Sequence, residues 1–177
     1  MPFVHGYRAG DVTNGFSHPY DTPRLVERLN ADWYDLARSS GLLDDQREFL
    51  LQLPQGTRSH RAARQHMHGY HAPALWTRVR LLDHWDIMGR GAASAFLGVH
   101  SGHPGFAMMA LDGSVYVCAS TGETGIDVLA VSHPDRSENV LQHLAWMARH
   151  DSPYVNRELR QRVAAWHAGR PGSPSAP

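Results

Sequence analysis

Residues 95–146 read AFLGVHSGHPGFAMMALDGSVYVCASTGETGIDVLAVSHPDRSENVLQHLAW, and this stretch decides the fold. Short apolar runs alternate with clusters of turn-forming residues. Ala95–Val99 is the first run, closed by His100-Ser101-Gly102-His103-Pro104-Gly105. Phe106–Leu111 and Ser114–Ala119 follow, separated by Asp112-Gly113. An Asp-Gly pair between apolar runs predicts a β-hairpin, because a two-residue type I′ turn needs positive φ at both central positions. On that strand Val115 and Val117 point to one face, Tyr116 and Cys118 to the other. Thr121–Gly125 forms the next turn and Ile126–Val131 the next strand. Ser132 then suits a helix N-cap, with Pro134 in the first turn and Asp135 in the reciprocal capping position. Val140, Leu144 and Met147, flanked by Leu141 and Ala148, make one apolar stripe.

Working outward, residues 1–20 are Gly-rich and aperiodic and read as an irregular arm, tacked down by Phe3, Tyr7 or Phe16. Thr22 (N-cap) and Pro23 (first helical position) open a helix carrying Leu25, Leu29, Trp33 and Leu36, which Gly41 ends in the left-handed conformation. Asp44 is read as the cap of a second helix with Phe49, Leu50 and Leu53, stopped by Pro54. The expectation is two antiparallel helices forming an N-terminal layer. Gln55–Pro73 shows no periodicity. Leu75–Leu82 alternates as a strand, with Leu75, Thr77, Val79 and Leu81 on one face and Trp76, Arg78 and Arg80 on the other. Asp83–Met88 reads as a further strand or a turn, broken by Gly89-Arg90-Gly91. Ser152-Pro153 starts a last helix with Leu159, Val163 and Trp166 in register, and Gly169 and Pro171 end it. Residues 170–177 read as a disordered tail, which leaves 21–169 as one α+β domain. The expected architecture is an N-terminal helical layer packed on a bent antiparallel sheet, with C-terminal helices.

At 177 residues the chain is long enough to bury a core without disulfides, and 42% apolar content argues against global disorder. Formal net charge is zero and the pI is near 7.3, which disfavours nucleic acid or an anionic membrane surface as partner. All 17 basic residues are Arg. One Cys excludes an intramolecular disulfide, and no charged-then-apolar leader opens the chain, so the expected compartment is a reducing cytoplasm. No apolar run approaches the length of a membrane span.

Three groups of residues could carry chemistry. His66, His68 and His71 supply the imidazoles a catalytic metal wants, and His100, His103, Asp83 or Asp86 could add ligands. No single regular backbone gathers all three imidazoles, so the primary expectation is no metal and no cofactor. The metal-dependent enzyme is the alternative. Cys118 could act as a nucleophile with His100 or His103 as base, but a mid-strand Cys among apolar residues reads first as core. Arg58–Arg80 holds five Arg and no acid, enough for a phosphate or acidic-protein contact and hence a second alternative, a nucleic-acid binder. Trp76, Arg78, Arg80 and Trp85 are the types enriched at interface hot spots, so they are the candidate partner-binding residues. As core Trp with snorkelling Arg stems they would need no function. No G-x-S-x-G elbow, P-loop or G-x-G-x-x-G is present.

The pattern resembles the SUKH superfamily over roughly Ala95–Trp146. The matching pieces are Phe96-Leu97-Gly98-Val99, the acidic-Gly turn within Ala110–Tyr116, and Val128-Leu129-Ala130-Val131-Ser132 leading into Val140–Leu144. The helical Phe usual in that family is absent, and the His-rich segment has no counterpart. The resemblance implies helices packed on a bent antiparallel sheet, and the immunity-protein class: intracellular, non-catalytic proteins that bind and neutralise a toxin domain. It transfers no catalytic residue.

Overall fold

A computed structural model of the chain describes residues 14–54, 74–149 and 157–169. Among the described residues there are eight strands: β1 (Asn14–Pro19), β2 (Glu48–Pro54), β3 (Ala74–Arg80), β4 (Gly98–His100), β5 (His103–Pro104), β6 (Phe106–Met109), β7 (Val115–Thr121) and β8 (Gly125–Ser132). The α-helices among the described residues are α1 (Leu25–Ser40), α2 (Glu138–Arg149) and α3 (Arg157–Ala168). Six strands form one sheet in the order β1-β8-β7-β6-β2-β3, and every neighbouring pair is antiparallel. β4 and β5 form a separate short hairpin. The fold is α+β, with a helix among the N-terminal elements and two more after the sheet.

The β6–β7–β8 meander follows the apolar runs, with Phe106 opposite Ala119 and Ala119 opposite Val128. The turn at Asp112-Gly113 differs in detail from a type I′ turn. Gly113 alone has positive φ (77°), its N–H bonds to the Ala110 carbonyl at 2.9 Å, and the Asp112 carboxylate accepts from the Ser114 N–H and hydroxyl. The loop is thus longer than two residues, and the aspartate closes it.

Alternation then sorts the meander onto two cores. Val115, Val117 and Ala119 face Leu29, Trp33, Leu36 and Ala37 of α1, together with Phe49, Phe106, Met108, Ile126 and Val128. Tyr116 and Cys118 gather with Ala107 and Leu129 on the opposite face. Burying one such aliphatic or Phe side chain stabilises by about 1.5–3 kcal/mol, so the α1 face dominates the energetics. Gly41 ends α1 with φ 82°, its N–H reaching the last carbonyls of the helix, as its position in sequence foretold.

Four sequence-based expectations are corrected. The second helix, Asp44 to Leu53, is strand β2, and Asp44 instead folds a turn, accepting from the N–H groups of Gln46 and Glu48 at 2.9 and 2.7 Å. Phe49 and Leu51 face α1 while Leu50 lies opposite Met109 on the other face, so apolar residues on both sides gave no period to read. Among the described residues the N-terminal helical layer is therefore one helix. Within the expected irregular arm, Asn14–Pro19 form β1, which pairs with β8 from Asn14↔Ala130 to Pro19↔Gly125, while residues 1–13, Phe3 and Tyr7 among them, lie outside the described residues. A Cβ at Gly125 would sit 2.4 Å from the His18 carbonyl, so glycine is what lets β1 come this close. Helix starts also move: α1 begins at Leu25 after Arg24 in the left-handed region, and α2 begins after Ser137, whose Oγ accepts the Val140 N–H at 3.2 Å. Ser132 instead ends β8, because its pairing with Val115 continues the sheet. The tail at 170–177 lies outside the described residues. Among the described residues no helix is long and apolar enough to cross a membrane.

Candidate binding surface on the edge strand

Among the described residues β3 is an edge of the six-stranded sheet. Its register with β2 sets Trp76 opposite Gln52, Arg78 opposite Leu50 and Arg80 opposite Glu48. Alternation puts Trp76, Arg78 and Arg80 on one face, as the sequence predicts, and all three are exposed. Trp76 and Arg78 each meet a neighbouring side chain. The Trp76 indole stands edge-on to the Tyr116 ring at 6.5 Å, itself 37% exposed above a buried tyrosine. Arg78 donates Nε–H to Glu48 Oε2 at 2.9 Å, and its Nη2 contacts the same oxygen. The hydrogen bond and negative charge of Glu48 raise the Arg78 pKa further, so the guanidinium stays charged. Glu48 contacts only part of that fork, and the Arg78 side chain is 64% exposed.

Trp85 does not belong to this surface. Its ring packs edge-on to Trp33 at 5.4 Å and stacks on Tyr34 at 5.3 Å, within the α1 core on the other side of the sheet. The chain leaves β3 at Arg80 and immediately buries Leu81, whose N–H bonds to the Arg47 carbonyl at 2.9 Å. That inward turn carries Trp85 away from Trp76. The four-residue constellation thus reduces to Trp76, Arg78 and Arg80.

The turn that follows was not foreseen as an organised site. Asp86 Oδ1 and Oδ2 accept the N–H groups of Gly89 and Arg90, each at 2.8 Å, and Asn30 Nδ2 donates to Oδ1 at 2.7 Å. These bonds shape Ile87–Gly91 into a single wide helical turn. The spacing Asp86–Gly89 was the available signal, since a short carboxylate can satisfy N–H groups three and four residues on. A shallow open cleft of about 560 Å³ lies here, lined in part by Val26, Glu27, Trp85 and Arg90. With its carboxylate oxygens occupied by three donors, Asp86 is a structural clamp.

The other candidates resolve as follows. Cys118 is 1% exposed and burial pushes its thiol up to about 12, so it is a core residue. His66, His68 and His71 lie outside the described residues, as does the Arg58–Pro73 part of the basic segment. Among the described residues no three His, Cys, Asp or Glu side chains gather at one point. Asp83 pairs instead with Arg47 at 2.6 Å. Comparison with family models, with curated proteins and with solved structures gave no match for the chain.

Proposed function

We propose that the chain is a non-catalytic protein-binding domain of the immunity type, which engages a toxin domain through Trp76, Arg78 and Arg80. One observation carries this reading: an aromatic and two guanidinium groups share the exposed face of an edge strand, and two of them are braced by Tyr116 and Glu48. Bracing lowers the side-chain entropy lost on binding, and Trp and Arg are the types that dominate interface energetics. An Arg fork pairs bidentately with a carboxylate, so a chain of zero net charge can still bind locally and tightly. The resemblance of residues 95–146 to the SUKH superfamily supports the same class.

The test is survival of cells co-expressing the chain with a toxin domain encoded beside it. The unmodified chain restores growth, and Trp76→Ala weakens binding to the purified toxin domain by about 2 kcal/mol or more. Circular dichroism shows the variant still folded. Full rescue by Trp76→Ala/Arg78→Ala/Arg80→Ala would remove the surface from the account.

A further inference from the structure

We propose that His100 and His103 form a two-imidazole site for a divalent transition-metal cation of the zinc, nickel and copper class. The two residues face each other across the β4–β5 hairpin, and their ring centres lie 5.4 Å apart. A coordinating imidazole nitrogen sits about 2.1 Å from zinc with its ring centre about 1 Å further back, so two rings on one tetrahedral ion have centres about 5 Å apart. The observed separation is close to that value, with the two ring planes at 79° to one another.

The backbone beneath the pair is fixed at several points. The turn is Ser101-Gly102, with Gly102 at φ 74° and its N–H bonded to the carbonyl of fully buried Met88 at 2.7 Å. Gly105 N–H bonds to the Leu97 carbonyl at 2.7 Å, and Thr121 Oγ1 donates to the Pro104 carbonyl at 2.9 Å, which ties the hairpin to β7. Ligands presented from such a frame need little ordering when the ion arrives.

The backbone also sets the tautomer of His103. Its Nδ1 lies 3.2 Å from the Ser101 carbonyl, so in the neutral ring that nitrogen carries the hydrogen and Nε2 presents a lone pair. Metal-binding histidines use a backbone carbonyl in this way to set the tautomer and ring direction. Tyr20 stacks on the same ring at 5.3 Å and is held by donating to the Gly122 carbonyl at 2.6 Å. His100 is exposed and can turn its ring about χ2 to complete the pair.

Imidazole nitrogen selects zinc, nickel and copper over magnesium and calcium, which take oxygen ligands. Among the described residues no third such side chain joins the pair, so water fills the remaining positions and the ion exchanges. Bound, it cross-links β4 to β5. This inference stands apart from the proposed protein-binding surface.

Calorimetric titration of the full, untagged chain with copper, zinc and magnesium ions tests it. The expected result is one equivalent of copper or zinc, copper bound more tightly, and no magnesium. His100→Ala and His103→Ala each weaken binding by about tenfold or more, while His66→Ala/His68→Ala/His71→Ala retains it. No binding, unchanged binding in His100→Ala/His103→Ala, or loss in the triple variant would overturn the site. Should the double variant lose its circular dichroism, the unmodified chain still decides. Substoichiometric copper then broadens the ring resonances of His100 and His103, and broadening confined to other histidines refutes the proposal.

Discussion

Asn30 on α1 and Asp86 in the turn after β3 are joined by a 2.7 Å hydrogen bond, Nδ2 donating to Oδ1, while Asn30 Oδ1 accepts the Met88 N–H at 3.0 Å. One carboxamide thus satisfies both a carboxylate and a backbone donor, and it pins the turn to the helix that builds the main core. Met88, held this way, is fully buried. The pair links local turn chemistry to tertiary packing.

Asn30→Ala leaves the Met88 N–H and one Asp86 lone pair without these partners in a half-buried place. The expected loss is about 1–3 kcal/mol, the cost of orphaned polar groups. It should appear as a lower denaturant midpoint with an unchanged m value, and unchanged stability would show that the clamp is idle.

Asp86 gives the acid limb of stability a defined sign. Desolvation pulls its pKa up, but the Arg90 N–H, Asn30, the Gly89 N–H and the Arg90 charge outweigh it and hold the carboxyl below its ordinary range. A depressed folded-state pKa contributes stability that is present above the unfolded value and lost as pH falls through the folded one. The stability gap between the unmodified chain and Asp86→Asn should therefore narrow as pH drops below about 4. Chemical denaturation at stepwise pH measures the gap, and a gap constant down to the acid limit would contradict the assignment.

Trp85 and Trp76 should behave as opposites. Trp85→Ala removes a ring packed on Trp33 and Tyr34 and should cost about 3 kcal/mol. Trp76→Ala, on the exposed strand face, should cost about 1 kcal/mol. Thermal or denaturant unfolding of the two variants side by side checks the order, and the reverse order would put Trp76 in the core.

Cys118 should be inert in the folded protein. With the thiol pushed up to about 12, the thiolate available at pH 8 is about a thousandfold scarcer than for a free cysteine. Alkylation by iodoacetamide should proceed only on unfolding, so its rate should rise with denaturant. Rapid labelling of the native chain would mean that the strand is open at this point.

Much of the architecture was legible because it rests on short-range chemistry. The turn at Asp112-Gly113 and the flanking alternation place β6, β7 and β8 and assign Val117 and Cys118 to opposite faces before any contact is known. Gly41 ends α1 for a reason carried by one residue, its freedom at positive φ. β3 likewise shows its exposed face in the alternation of Trp76, Arg78 and Arg80.

What tertiary structure alone decided lies where local signals are weak or balanced. Residues 48–54 carry apolar side chains on both faces, and only pairing with β3 and β6 makes them a strand. Residues 14–19 have no period of their own and become β1 because β8 offers an edge and Gly125 a close approach. Trp85 joins the core and Trp76 the surface although nine residues separate them, since the chain turns inward at Leu81, whose N–H bonds to the Arg47 carbonyl just before the neighbouring strand. Asn30 and Asp86 are 56 residues apart and meet only when α1 packs against that turn. Local sequence sets which conformations are affordable to each segment; long-range burial and hydrogen bonding choose among them.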